Sequence, residues 1–160
     1  MSEGLFRILD EDGLIGFANM NGKVIVSQRF TQVNSFRDGR AIFCQGCKVG
    51  SYLKFHDENA RGELLQIIGR LQDTVIIQRK VRYGMINTKG DTVLQPIYDR
   101  IDDFKDSIAL VYKDGRAFYI DRQGNEVAYD PKKHPNQKPL DPHISKRIKY
   151  IDSWESLLKD

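Results

Sequence analysis

The sequence predicts an all-β fold of tandem repeats, and three features lead there. An internal period of 34 residues runs through most of the chain, hairpin turn signals recur inside each period, and apolar runs of about five residues separate them. The expected architecture is a row of short antiparallel strands and β-hairpins, stacked as a small solenoid or an open barrel-like array and followed by a C-terminal amphipathic helix.

The period is seen by comparing Gly16-Phe17-Ala18-Asn19-Met20-Asn21-Gly22 with Gly84-Met85-Ile86-Asn87-Thr88-Lys89-Gly90. Both glycines and the asparagine match at an offset of 68 residues, and so, without a gap, do Val26 and Leu94, Phe30 and Tyr98, Val33 and Ile101, Phe36 and Phe104, and Ala41 and Ala109. Half that offset exposes weaker copies. Gly50 follows Gly16, with Leu64, Ile67 and Val75 on apolar positions, and Gly124 follows Gly90, with Ile120 and Val127 after Ile86 and Val93. The units span 13–46, 47–80, 81–114 and a partial 115–128, with a half unit at 2–12 that resembles residues 37–43 within a residue of slippage.

A period of 34 also suits helical arrays, but those need paired amphipathic helices. The best copy carries strand signals. Tyr83–Asn87 leads through Thr88-Lys89-Gly90 into Asp91–Gln95, which Pro96 should stop. A third strand is expected from Tyr98 to Phe104 and a fourth over Ile108–Tyr112, closed by Lys113-Asp114-Gly115, where Asp-Gly is a strong hairpin signal.

The run from Val81 to Asp99, continued through Phe104, Ala109 and Lys113-Asp114-Gly115, resembles the WG-repeat (KWG) family of bacterial proteins, and the likeness extends over residues 2–128. The family's tryptophan before glycine is replaced by Ile15, Val49, Tyr83 and Ala117. The resemblance implies β-rich tandem repeats without an assigned activity and with no catalytic residues to carry over.

Stacked units hide one another's apolar faces, so Phe30, Phe36, Tyr98, Ile101 and Phe104 read as core. Gly16, Gly50 and Gly84 should mark close backbone approach or a bulge. The polar stretch Glu58–Glu63 in the divergent second copy is an expected exposed loop and a candidate binding loop.

Little in the sequence argues for chemistry. Cys44-Gln45-Gly46-Cys47 has metal-ligand or redox spacing, yet no second pair completes a zinc set and only His56 offers a third ligand; incidental turn cysteines are the leading reading. His56, His134 and His143 are scattered. Asp102, Asp103 and Asp106 cluster on an expected turn, and no glycine-rich phosphate loop or serine-centred triad is present. No catalytic residue, cofactor or metal is expected, and the protein is read as not an enzyme.

The 160 residues are 40% apolar and 29% charged, with a net charge of +3. Residues 130–149 alone carry a surplus of four positive charges, so the repeat body is near neutral. Four of the five prolines fall in 130–143, an expected extended linker. Beyond it, Ile144, Ile148, Ile151, Trp154, Leu157 and Leu158 have helical spacing over 144–160. That helix is expected to cap the stack or to dock on a partner through Ile148, Ile151, Trp154 and Leu158. No membrane span or leader is visible, and a cytoplasmic location is the default. The favoured function is a scaffold or adaptor binding another protein. Nucleic-acid binding through the basic tail and an enzyme of unrecognised type are the alternatives.

Overall fold

The computed structural model describes residues 3–48, 63, 66, 69–71, 73–153, 156 and 157. Short antiparallel strands dominate. β1 (Leu5–Leu9), β2 (Ile15–Asn19) and β3 (Val24–Phe30) form one sheet in the order β1-β2-β3. β4 (Gln32–Val33) and β5 (Arg40–Gln45) join β7 (Arg82–Asn87) and β8 (Thr92–Tyr98) in a second, ordered β4-β5-β7-β8. β9 (Arg100–Ile101), β10 (Ala109–Lys113), β11 (Arg116–Ile120) and β12 (Glu126–Val127) build a third. β6 (Val75–Gln78) and β13 (Ile148–Ile151) pair in parallel apart from these. None of the sheets closes into a barrel.

A sheet is not one sequence repeat. Each four-stranded sheet takes the third and fourth strands of one copy and the first and second strands of another. The chain crosses between sheets at Thr31 and at Asp99. Asp99 is buried there, paired with Arg82 at 2.9 Å and accepting the Asp114 amide at 2.9 Å, so its charge is compensated.

One turn recurs with the period. Asn19 Oδ1 accepts the amides of Asn21 and Lys23, Asn87 Oδ1 those of Lys89 and Asp91, and Asp121 Oδ1 those of Gln123 and Asn125. Each turn ends on a glycine in the left-handed region, Gly22 (φ 81°), Gly90 (φ 89°) and Gly124 (φ 90°). A short side-chain acceptor and a residue free of Cβ strain are what this loop demands.

Gly16 and Gly84 behave as expected. A Cβ on Gly16 would lie 2.3 Å from the Val26 carbonyl oxygen, and one on Gly84 2.5 Å from that of Leu94. Both sit at register shifts between first and second strands. The next copy has Phe118 at this position, and its second strand, β12, is cut to two residues.

The core lies between sheets. Phe17, Val26, Phe30, Phe36 and Phe43 fill the space between the first and second, with Phe17 and Phe36 edge to face at 4.8 Å. Met85, Leu94, Tyr98, Val111 and Ile120 fill the next. Phe30, Phe36, Tyr98 and Ile101 are buried as expected, whereas Phe104 is only half-buried. Burying such side chains contributes about 1.5–3 kcal/mol each.

Several expectations need correction. Pro96 does not stop β8, which runs to Tyr98; β8 is an edge strand, where a missing N–H costs no ladder bond. The third strand of the best copy is Arg100–Ile101 rather than Tyr98–Phe104. The C-terminal amphipathic helix is absent from the described residues: Ile144–Arg147 is a 3-10 turn, and Ile148–Ile151 is strand β13. Backbone pairing with Val75–Gln78 and burial of Ile151 override the helical spacing, in a segment whose isoleucines and Tyr150 suit a strand.

Of the second copy, Glu63, Gln66, Gly69 and Arg70 have helical backbone where the third copy has Ile97, Arg100, Asp103 and Phe104. Gly50, Leu64, Ile67 and most of the expected loop at 58–63 lie outside the described residues. Where the copy leaves the second sheet, Gly46 packs on the carbonyl of Lys80, so the chain departs and returns at one point.

The proline-rich segment lies against the third sheet. Tyr119 donates to the Lys138 carbonyl at 2.6 Å, Asn136 bonds the Asp106 carboxylate, and Gln137 donates to the carbonyls of Lys105 and Ile108.

Candidate functional site

Strand position decides which backbone groups are free. β5 holds β4 on one side and β7 on the other, and β10 likewise holds β9 and β11. β1 occupies the corresponding place in the first sheet, because Leu5 faces Asn19 as Arg40 faces Asn87. Among the described residues, β1 pairs with β2 alone. Among these residues its outer edge has no backbone partner, the pattern that accepts an added strand.

The side chains around that edge are apolar and exposed. Phe6 is 41% exposed and Leu9 62%. The corresponding positions on β5, Ala41 and Cys44, are buried.

The predicted partner-binding residues are placed differently. Ile148 is half-buried and Ile151 is buried on β13, while Trp154 and Leu158 lie outside the described residues. The β1 edge was not foreseen; the half-unit reading of the N-terminus held the signal, since a fourth strand without a third has a free side.

Cys44 and Cys47 are joined as a disulfide with Cα atoms 5.9 Å apart, not left as unpaired turn cysteines. Cys44 is buried at the end of β5, and the bridge lies where the chain leaves the second sheet. His56 lies outside the described residues. His134 accepts the Asp130 amide at 3.0 Å and serves the local turn. The acidic group is dispersed into structural contacts, with Asp102 held by Arg100, Asp103 by Arg37 and Asp106 by Asn136. Among the described residues no set of three or more His, Cys, Asp or Glu side chains could hold a metal ion.

Titration is perturbed mainly in the core. Burial raises the phenols of Tyr83, Tyr98, Tyr112 and Tyr119 above their ordinary range. Asp121 is lowered, chiefly by the Asn125 amide that its carboxylate accepts. Arg40 is lowered first by burial and then by the charge of Arg122.

Comparison with protein families decides the kinship: the model of the WG containing repeat matches residues 15–48 and residues 83–116. The chain carries WG repeats. The two matched stretches are the copies that share the second sheet, and each spans its Asx turn, its glycine bulge and the strands between. The WG repeat is therefore a sequence unit that straddles two structural sheets. Comparison with curated proteins gives no match, and neither does comparison with solved structures. No described helix is long and apolar enough to cross a membrane.

Proposed function

We propose that the protein is a non-enzymatic repeat scaffold that binds another protein, with the open edge of β1 as its docking strand. The single observation behind this reading is that β1 lacks, among the described residues, the outer partner that β5 and β10 both have. A partner strand laid against it would gain backbone hydrogen bonds, and Phe6 and Leu9 would supply apolar area. The rigid stack behind β1 suits this role, since binding there needs no ordering of the scaffold.

The test is co-purification from native cells, comparing the unaltered protein with a Phe6→Glu/Leu9→Glu variant. The unaltered protein is expected to retain a stoichiometric partner that the variant loses, with thermal unfolding unchanged because both side chains are exposed. A partner retained equally by both, or no stoichiometric partner, would contradict the proposal.

A further inference from the structure

A second surface has a different chemistry. Between the second and third sheets opens a cleft of about 310 Å3, at the lower end of the volumes that hold small ligands. Arg37, Arg40 and Arg122 line it together with Asp38 and Asp103, and Phe104, Met85 and Ile42 give it apolar walls.

The cations are not neutralised from within. Arg37 pairs with Asp103 at 3.3 Å and Arg122 with Asp38 at 3.6 Å, but the carboxylate side chains are 59% and 76% exposed, so these pairs are weak and easily exchanged. Arg40 has no carboxylate partner among the described residues. It donates to the carbonyl of Arg122, which brings like charges together in a half-buried place. The Arg122 guanidinium lies 5.6 Å from the centre of the Phe104 ring.

The repeat shows that this arrangement is not required by the fold. Positions that are neutral in other copies (Leu5 and Ile108 for Arg40, Met20 and Thr88 for Arg122) carry arginine at this cleft, and the two arginines are hydrogen-bonded to each other. Guanidinium groups offer fixed pairs of donors that match carboxylate and phosphate oxygens.

We infer that the cleft binds a small organic anion, whose carboxylate or phosphate bridges Arg40 and Arg122 and whose apolar body lies against Phe104. The anion would offset the repulsion between the two guanidiniums. Met85 and Ile42, which also line the cleft, favour an aromatic or aliphatic body over a bare ion.

The test uses the full chain, isotope-labelled for NMR, titrated with benzoate, with phenyl phosphate and with neutral benzyl alcohol. Both anions are expected to shift the Arg40, Arg122 and Phe104 signals to saturation, and benzyl alcohol to leave them in place. The tighter of the two anions identifies the acid group. Arg40→Ile and Arg122→Thr install the residues of the other copies, so each variant should keep its thermal transition while binding at least about tenfold more weakly. Absence of saturable shifts, equal binding of benzyl alcohol, or undiminished binding in both variants would overturn the inference.

Discussion

Copies one and three of the repeat pair directly, strand β5 against strand β7, although another copy lies between them in sequence. Ala41 pairs with Ile86 as Ala109 pairs with Ile120, in one register. By the period, Tyr52 would have faced Ala41. The stacking contacts repeat the lesson. Gly90 of the third copy packs on Val26, and Gly124 of the fourth packs on Leu94, so the third copy rests on the first as the fourth rests on the third.

The difference lies in the turn. The stacked copies place Asn19, Asn87 or Asp121 at its start and Gly22, Gly90 or Gly124 at its end. The second copy has Leu53 and His56 there. Leucine supplies no acceptor for the turn amides, and histidine suits neither the positive φ nor the tight fit on Val26. Repeat arrays tolerate a divergent copy because each unit touches only its neighbours.

The largest effect should come from alkali, which attacks the stacked part. Tyr83, Tyr98, Tyr112 and Tyr119 have phenols raised by burial, and all belong to the third and fourth copies. A raised folded pKa favours the protonated form. The stability it carries is complete below the unfolded value of about 10 and is lost as pH rises through the folded value. The ring NMR signals of these four tyrosines should therefore show ionisation only together with loss of β circular dichroism, above about pH 10. Ionisation of these four rings well before unfolding would contradict this.

Next in size, Gly84→Val should cost about 3 kcal/mol or more, because the new side chain meets the Leu94 carbonyl and the Phe43 ring. Gly69→Ala in the second copy should instead gain about 0.5–1 kcal/mol, since its Cβ meets nothing within 4 Å and the backbone is helical. Chemical denaturation of the two variants measures the contrast. Gly90→His, which gives the third copy the residue of the second, should cost about 2 kcal/mol through its positive φ and its contact with Val26. The smallest pair is Asn19→Ala and Asn87→Ala. Each loses two amide acceptor contacts at an exposed turn and should cost about 1 kcal/mol, equally in both copies.

Much of this fold was legible in the residues themselves. The glycine and asparagine spacing, with Asp114-Gly115, located β2, β3, β7, β8, β10 and β11, because hairpin turns demand particular backbone chemistry. The pairing of β5 with β7 was not legible, since a period in sequence says nothing about which neighbour a strand chooses; Leu53 and His56 were the available signal. The tail misled because Ile148 and Ile151 fit one face of a helix as well as a strand, and only the partner strand β6 decides between them. Of the candidate sites, the β1 edge was not read from the sequence, although the half unit at 2–12 covers that strand. The arginine cleft did not, because Arg40 and Arg122 are 82 residues apart and meet only when the sheets stack.

The most direct test of the stacking is the set of interstrand Hα–Hα nuclear Overhauser effects from residues 40–45. Direct contact of the first and third copies predicts cross-peaks to residues 82–87 in the register that sets Ala41 opposite Ile86. Cross-peaks to residues 48–53 in their place would contradict it.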